Sequence, residues 1–228
     1  MDIKLNITEI RNKIAEVCTR CGRNPEDVKL VAVSKTKPAV MIDDAAAAGQ
    51  VLFGESYVQD FIDKVDDVAS DVQWHFIGGL QSNKVKYLRG KVEMIHSVDR
   101  LSLAEEISKQ WQKIDEPIDI LVQVNLGGES TKSGTDGEQL EQLIRQISAL
   151  PKLRIRGLMS LPPYCDDPEE VRPYFRQLRE LAEAIARLEI PGVEMAELSI
   201  GMSHDFEVAI EEGATMIRIG TAIFGARN

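Results

Sequence analysis

Eight short runs rich in β-branched and aliphatic residues recur along this chain, and a longer amphipathic stretch separates each from the next nearly throughout. The runs are Lys29–Ser34, Val51–Glu55, Val72–Ile77, Met94–Val98, Asp119–Asn125, Arg154–Ser160, Glu197–Met202 and Thr215–Gly220. Helical patterns occupy Pro38–Ala48, Tyr57–Ala69, Asn83–Leu88, Leu101–Lys113, Glu138–Leu150, Pro168–Leu188 and His204–Glu212, with one more near Asn6–Cys21 ahead of the first run. Pro38 and Pro168 sit where the first turn of a helix tolerates a missing N–H. A strand that returns parallel to its predecessor needs a crossover, so this order predicts parallel neighbours. Eight such units can close into a (β/α)8 TIM barrel, an α/β fold, with a doubly wound open sheet as the competing arrangement. The extra N-terminal helix would cover the barrel wall where only AIFGARN follows the last strand.

The 228 residues suit one barrel of about 200 to 250 residues, and no Pro-, Gly- or Ser-rich linker divides them. A single domain over residues 1–228 is therefore expected, with its longest loops at Gly127–Gly137 and Leu161–Asp167. At 43% hydrophobic and 28% charged, the chain has ample material for a core, which excludes the disordered and fibrous classes. A net charge of −10 with no basic stripe argues against a nucleic-acid partner. No apolar run approaches the ~18 to 20 residues of a membrane span, and the charged N-terminal pattern lacks a signal-peptide core. No membrane association is expected, and a cytoplasmic location is. A disulfide framework is not expected from Cys18, Cys21 and Cys165. Cys18 and Cys21 continue the apolar face of Ile10, Ile14 and Val17, which reads as two buried thiols and not as half of a zinc site.

In a barrel of this kind, chemistry belongs at the carboxyl ends of the strands. Lys35 follows the first run and shares a face with Val31 and Val33 by two-residue alternation. Partial desolvation there would enlarge its neutral, nucleophilic fraction, able to form an imine with a carbonyl. The ordinary alternative is a lysine that reaches water or pairs with a carboxylate. Lys37 abuts Pro38 and reads as solvated. After the seventh run, GMSHD places Ser203 to cap the next helix, with Asp205 in its first turn, which would make an anion site. After the eighth, Gly220 allows close backbone approach and Thr221 offers a hydroxyl and an N–H. Phosphate bound after strands seven and eight is the habit of such barrels. Arg218 shares a face with Met216 and Gly220, and a guanidinium pointed into a barrel needs an acceptor, either a carboxylate or a ring nitrogen. An imine-forming lysine, a phosphate cradle and such an arginine together describe a pyridoxal 5′-phosphate site.

The segments VAVSKTKP, FGESYVQD, WHFIGGLQSNK, SVDR, the KSG of the loop after the fifth strand, GLMSLP, LSIGMSHDFEVAI and GATMIRIGTAIFGAR span about Lys29 to Arg227. In these the chain resembles the pyridoxal phosphate homeostasis proteins, single-barrel relatives of the alanine racemase N-terminal domain. The resemblance implies a fold-type III pyridoxal phosphate barrel, a Schiff-base lysine at Lys35, and Arg218 opposite the pyridine nitrogen. It further implies phosphate contacts from Ser203, with Gly201 beside it, and from Gly220 and Thr221. Ser56 stands where the family usually has asparagine near the cofactor, and Gly79 where histidine is common. An arginine keeps its own proton and so discourages protonation of the ring nitrogen, which weakens the electron sink. The chain also ends at Asn228, just after its barrel, without the second domain that supplies one of the racemase's two bases. The expected role is thus reversible binding, buffering or delivery of pyridoxal phosphate, with no catalytic residue, by a monomer whose recipients would be apo-enzymes. A low-activity amino-acid racemase, and a sugar-phosphate barrel without aldehyde chemistry, are the alternatives.

Other motifs attract weaker readings. In GGESTKSG, Lys132 occupies the position where a phosphate-binding loop requires its second glycine. His75 and His96 read as core or rim histidines satisfied by hydrogen bonds, and no metal site is expected. His204 either approaches the phosphate or faces water. The charged helix after Pro168 reads as a solvated outer face.

Overall fold

The computed structural model describes residues 2–127, 134–137 and 139–226. Eight parallel strands form a closed barrel in sequence order. They are β1 (Lys29–Val33), β2 (Leu52–Glu55), β3 (Gln73–Phe76), β4 (Met94–Val98), β5 (Ile118–Val124), β6 (Leu153–Ser160), β7 (Val193–Ser199) and β8 (Met216–Ile219). Closure is made by β1 against β8, with Lys29 opposite Met216 and Val31 opposite Arg218. That pairing excludes the open sheet. The helices are α1 (Ile3–Cys21), α2 (Ala39–Ala47), α3 (Val58–Lys64), α4 (Leu101–Trp111), α5 (Leu140–Ser148), α6 (Arg172–Ala186), α7 (Phe206–Glu211) and α8 (Thr221–Phe224).

The leading helix behaves as its pattern predicts. Asp2 caps it by accepting the Leu5 N–H at 3.0 Å, and its buried residues Ile3, Ile7, Ile10, Ile14 and Val17 recur every three or four positions. Asn6 donates to the Ile223 carbonyl at 2.8 Å, which ties α1 to the short α8 where a full closing helix would otherwise lie. Cys18 is buried, but Cys21 is exposed, which corrects the expectation of two buried thiols. Cys21 is the last residue of α1, and Gly22 leaves the helix there in a left-handed conformation at φ 72°.

Several elements differ from the periodic reading for local reasons. The segment from Pro168 splits into a 3-10 turn (Pro168–Val171) and α6, because Pro173 fits only within the first turn of a restarted helix. The α3 helix stops at Lys64, and the Asp43 carboxylate takes the Ser70 N–H at 2.9 Å, turning the following residues toward α2. Residues Ser82–Tyr87 form a 3-10 segment instead of an α-helix. The face of α6 is only partly solvated, since Arg172 and Arg176 both bond the buried Glu212 beside α7, at 3.1 and 2.9 Å. Lys132 lies outside the described residues.

Alternation along the strands sorts the core into two parts. One large apolar cluster fills the space between barrel and helices, with Trp111, Phe53, Phe61 and Phe175 among its fully buried members. A separate small cluster of Val31, Met94, Leu121, Met159 and Met216 plugs the barrel interior. Above it the interior turns polar, with His75, His96, Ser199 and Arg218 all buried. Polar groups this deep persist only when hydrogen-bonded.

Candidate functional site

At the carboxyl ends of the strands lies a cavity of about 610 Å³, within the range of small-ligand pockets. Lys35, Ser56, Ser203, Arg218, Gly220 and Thr221 all line it. Residues scattered over the whole sequence are thereby gathered into one space, as the strand-end reading predicts. Val33 and Ile77 supply apolar wall, and Tyr57, Leu161 and Tyr164 are exposed beside the mouth.

Lys35 sits two residues past the end of β1, half-buried, in a tight turn that the Lys37 N–H closes onto the Ser34 carbonyl at 3.0 Å. Its neighbour Thr36 has φ 63°, a left-handed conformation that a β-branched residue rarely takes. Strain of this kind persists only where the surroundings over-determine it. Lys37 donates to the Ala226 carbonyl at 3.0 Å.

Arg218 is the buried charge of the site. Its Nη1 donates to Ser199 Oγ at 2.6 Å and its Nη2 to the Ser160 carbonyl at 3.0 Å. Neither partner is a carboxylate, so the guanidinium charge is not neutralised by direct pairing. Burial pushes its pKa down to about 10, with Asp205 opposing. The group therefore remains protonated at neutral pH. Ser199 also meets His96 Nδ1 at 2.9 Å, and His96 Nε2 meets His75 Nδ1 at 2.9 Å. Both histidines stay neutral, because burial drives the His75 pKa down to about 3 and that of His96 well below its usual value.

The Ser203 region departs from expectation. The residue at the start of α7 is Asp205, not Ser203, and the Asp205 carboxylate turns back to accept the Met202 N–H at 2.6 Å. Ser203 is thereby released from capping, and its Oγ accepts the Ala222 N–H at 3.5 Å. The ends of β7 and β8 thus present Ser203, Gly220 and Thr221 side by side. Gly201 is not among the cavity-lining residues. It has φ 88°, an added Cβ would meet Ala209 Cβ at 2.6 Å, and its carbonyl accepts the Arg218 N–H at 3.0 Å. Its glycine is required by backbone conformation and by the approach of α7. His204 lines the mouth, exposed, with its Nε2 3.0 Å from the Asp166 carbonyl.

Sequence reasoning missed Ser199 and Gln123, a buried residue that also lines the cavity. Each follows the inward alternation of its strand, so the signal was two-residue periodicity carried one step further down the barrel. The residue set suits a phosphorylated aromatic aldehyde: a lysine amine, the three hydroxyls of Ser56, Ser203 and Thr221, apolar walls, and a buried guanidinium that among the described residues bonds a serine hydroxyl and a backbone carbonyl. Among the described residues no cluster of three or more His, Cys, Asp or Glu is placed to hold a metal. Nor is any helix there long and apolar enough to cross a membrane.

The chain is similar to known proteins over nearly its whole length. Residues 5–228 match the family model for the alanine racemase N-terminal domain. The pyridoxal phosphate homeostasis protein of Aquifex aeolicus is 48% identical over 222 residues, covering 97% of this chain and 96% of its own. The structure of PipY from Synechococcus elongatus with pyridoxal phosphate bound superposes with a TM-score of 0.86 at 36% identity, covering 98% of this chain and 100% of PipY. An alanine racemase from Clostridium difficile shares the fold, with a TM-score of 0.72 at 16% identity over 99% of this chain and 57% of its own. The chain belongs to the alanine racemase N-terminal domain family and, within it, to the pyridoxal phosphate homeostasis proteins.

Proposed function

We propose that residues 1–228 act as one pyridoxal phosphate-binding barrel that holds the cofactor reversibly and buffers or delivers it to apo-enzymes. The observation that carries this reading is the convergence of Lys35, Ser203, Thr221 and the buried Arg218 on one cavity. Relatives that share 41% to 48% of their residues with this chain bear the homeostasis name, and PipY has been solved with the group bound. What pyridoxal phosphate supplies when bound is an aldehyde that an amine captures reversibly with loss of water.

Each residue has a distinct task in this reading. Lys35 provides the amine. Ser203, Thr221 and the backbone at Gly220 hold the phosphate, and Ser56 lies near the ring. Arg218 faces the ring nitrogen and keeps its own proton, which leaves the ring a poor electron sink and turnover weak. In a chain of net charge −10, hydroxyls and backbone N–H groups are well suited to hold a dianion locally. No residue is assigned a catalytic role, and the protein works as a cytoplasmic monomer.

Incubation with pyridoxal phosphate, borohydride reduction and peptide mass mapping test the reading together. The expected result is a visible absorbance band, fixed by reduction, with the added mass on Lys35. A colourless protein without adduct sinks the proposal. Racemisation of an amino acid at ordinary enzyme rates of roughly 1 to 10³ s⁻¹ would sink the non-catalytic part of it.

A further inference from the structure

Beneath the turn that carries Lys35 lies a second lysine, one that does not line the cavity. Lys64 is the last residue of α3 and is buried. Its ammonium donates to the Ser34 carbonyl at 2.9 Å and the Lys37 carbonyl at 3.1 Å, the two residues that bracket Lys35 and Thr36. It also lies 2.9 Å from Glu55 Oε1 and 3.0 Å from Asp60 Oδ2. The same acceptors reach the turn directly: Asp60 Oδ2 takes the Thr36 N–H at 2.8 Å, and Glu55 Oε1 takes the Ser34 hydroxyl at 2.6 Å. Ser34, Thr36 and Lys37 are therefore all tied to this network by backbone or side chain.

A buried ammonium is a poor means of gaining stability, because an apolar side chain of similar volume would avoid its desolvation. What an ammonium adds is donors, aimed here at two carbonyls of a strained turn. Thr36 at φ 63° needs such over-determination to persist. A turn held this way presents the Lys35 amine without having to be ordered at each encounter, and misplacement of a reacting group by about 1 Å can slow its reaction by about a hundredfold.

We propose that Lys64, with Glu55 and Asp60, is a positioning device that fixes the Ser34–Lys37 turn and so aims the Lys35 amine into the cavity. This rests on the reading of Lys35 as the attachment point. Lys64 itself is not among the residues that line the cavity.

The test compares two ligands in wild type, Lys64→Met, Lys64→Arg and Asp60→Ala. Pyridoxal phosphate reports attachment, followed by absorbance and by the rate at which borohydride-fixed mass accumulates on Lys35. Pyridoxine 5′-phosphate carries the same ring and phosphate but no aldehyde, so its affinity reports the cavity alone. Lys64→Met is expected to slow attachment by about ten- to a hundredfold with pyridoxine phosphate affinity unchanged. Lys64→Arg, which still donates, should recover part of the rate. Asp60 is partly exposed, so Asp60→Ala provides a variant that folds if Lys64→Met does not, and it should slow attachment in the same selective way. Attachment at the wild-type rate in either folded variant overturns the proposal. So does a loss of attachment that only keeps step with lost pyridoxine phosphate affinity. A wild-type protein without adduct on Lys35 overturns the attachment reading as well, whereas labelled wild type with unaffected variants overturns this inference alone.

Discussion

His96 Nδ1 and Ser199 Oγ lie 2.9 Å apart inside the barrel, which makes Ser199 the joint between two buried histidines and the Arg218 guanidinium. An arginine can only donate, so Ser199 Oγ accepts from Arg218. The serine proton then has one described partner left, His96 Nδ1. With the serine proton assigned to that partner, His96 carries its own proton on Nε2 and donates it to His75 Nδ1, and both rings are neutral. A line of polarised groups thus runs through the barrel from β3 to the charged end of the cavity.

Neutral buried histidines make stability depend on pH in a definite direction. The folded-state pKa of His75 is about 3, against 6.5 in the unfolded chain, and that of His96 is also depressed. Between those values the unfolded state binds more protons, so the His75 contribution is complete above about pH 6.5 and falls as pH drops toward 3, by up to about 1.4 kcal/mol per pH unit, and His96 acts in the same sense. Burial raises the carboxyls of Glu55 and Asp205, which act in the opposite sense. The diagnostic is therefore a difference. Urea midpoints measured between pH 7 and pH 4 should fall less steeply in His75→Gln than in wild type, and equal slopes would contradict the assignment.

Removing the joint is expected to strand groups on both sides of it. Ser199→Ala leaves Arg218 Nη1 and His96 Nδ1 buried without that partner, at a cost of about 1 to 3 kcal/mol in urea unfolding. The guanidinium also loses one of the two bonds that orient it, so affinity for pyridoxal phosphate should fall as well. A stability change below about 0.5 kcal/mol, the range of an ordinary surface substitution, would show that the chain is not held through Ser199.

The elements were legible in the sequence where periodicity was unbroken, and the site was legible where a residue's place at a strand end carried the meaning. Lys35, Arg218, Gly220 and Thr221 all qualify, because their distance from an apolar run locates them. The start of β7 was less visible, since Glu194 and Glu197 interrupt the apolar pattern of Val193, Met195 and Leu198. Side-chain networks were not legible at all. His96 meets Ser199 across 103 positions and Lys64 meets Ser34 across 30, and such meetings depend on barrel register, which no local pattern contains. The one local sign of Lys64 was a lysine three residues after Phe61 on the buried face of α3.

Two adjacent glycines at the cavity wall should respond in opposite ways. A Cβ on Gly78 would lie 2.0 Å from the Ser56 carbonyl oxygen, a backbone atom that cannot swing aside, whereas a Cβ on Gly79 meets nothing within 4 Å. Gly78→Ala is expected to destabilise by about 1 to 3 kcal/mol or more and to displace Ser56 from the cavity. Gly79→Ala should stay within about 0.5 kcal/mol of wild type. Thermal melting of the two variants side by side checks both, and similar melting points would contradict the close packing at Gly78.

The hydroxyl of Ser203 offers a way to separate phosphate holding from every other contribution. It is freed from helix capping by Asp205 and lies beside Ala222 and Thr221 at the cavity. A hydrogen bond to a charged group contributes about 1.5 to 3 kcal/mol, which corresponds to roughly ten- to a hundredfold in affinity. Ser203→Ala is therefore expected to weaken pyridoxal phosphate binding by about that factor, read from an absorbance titration. Pyridoxal, which has the same ring and aldehyde but no phosphate, should bind the variant and the wild type alike. Because among the described residues Ser203 Oγ accepts a single long contact of 3.5 Å, the ligand-free protein should melt close to wild type. Equal losses for pyridoxal and its phosphate would instead mean that the substitution disturbs the cavity as a whole, and the phosphate would then have to be held by Thr221 and the backbone at Gly220 without Ser203.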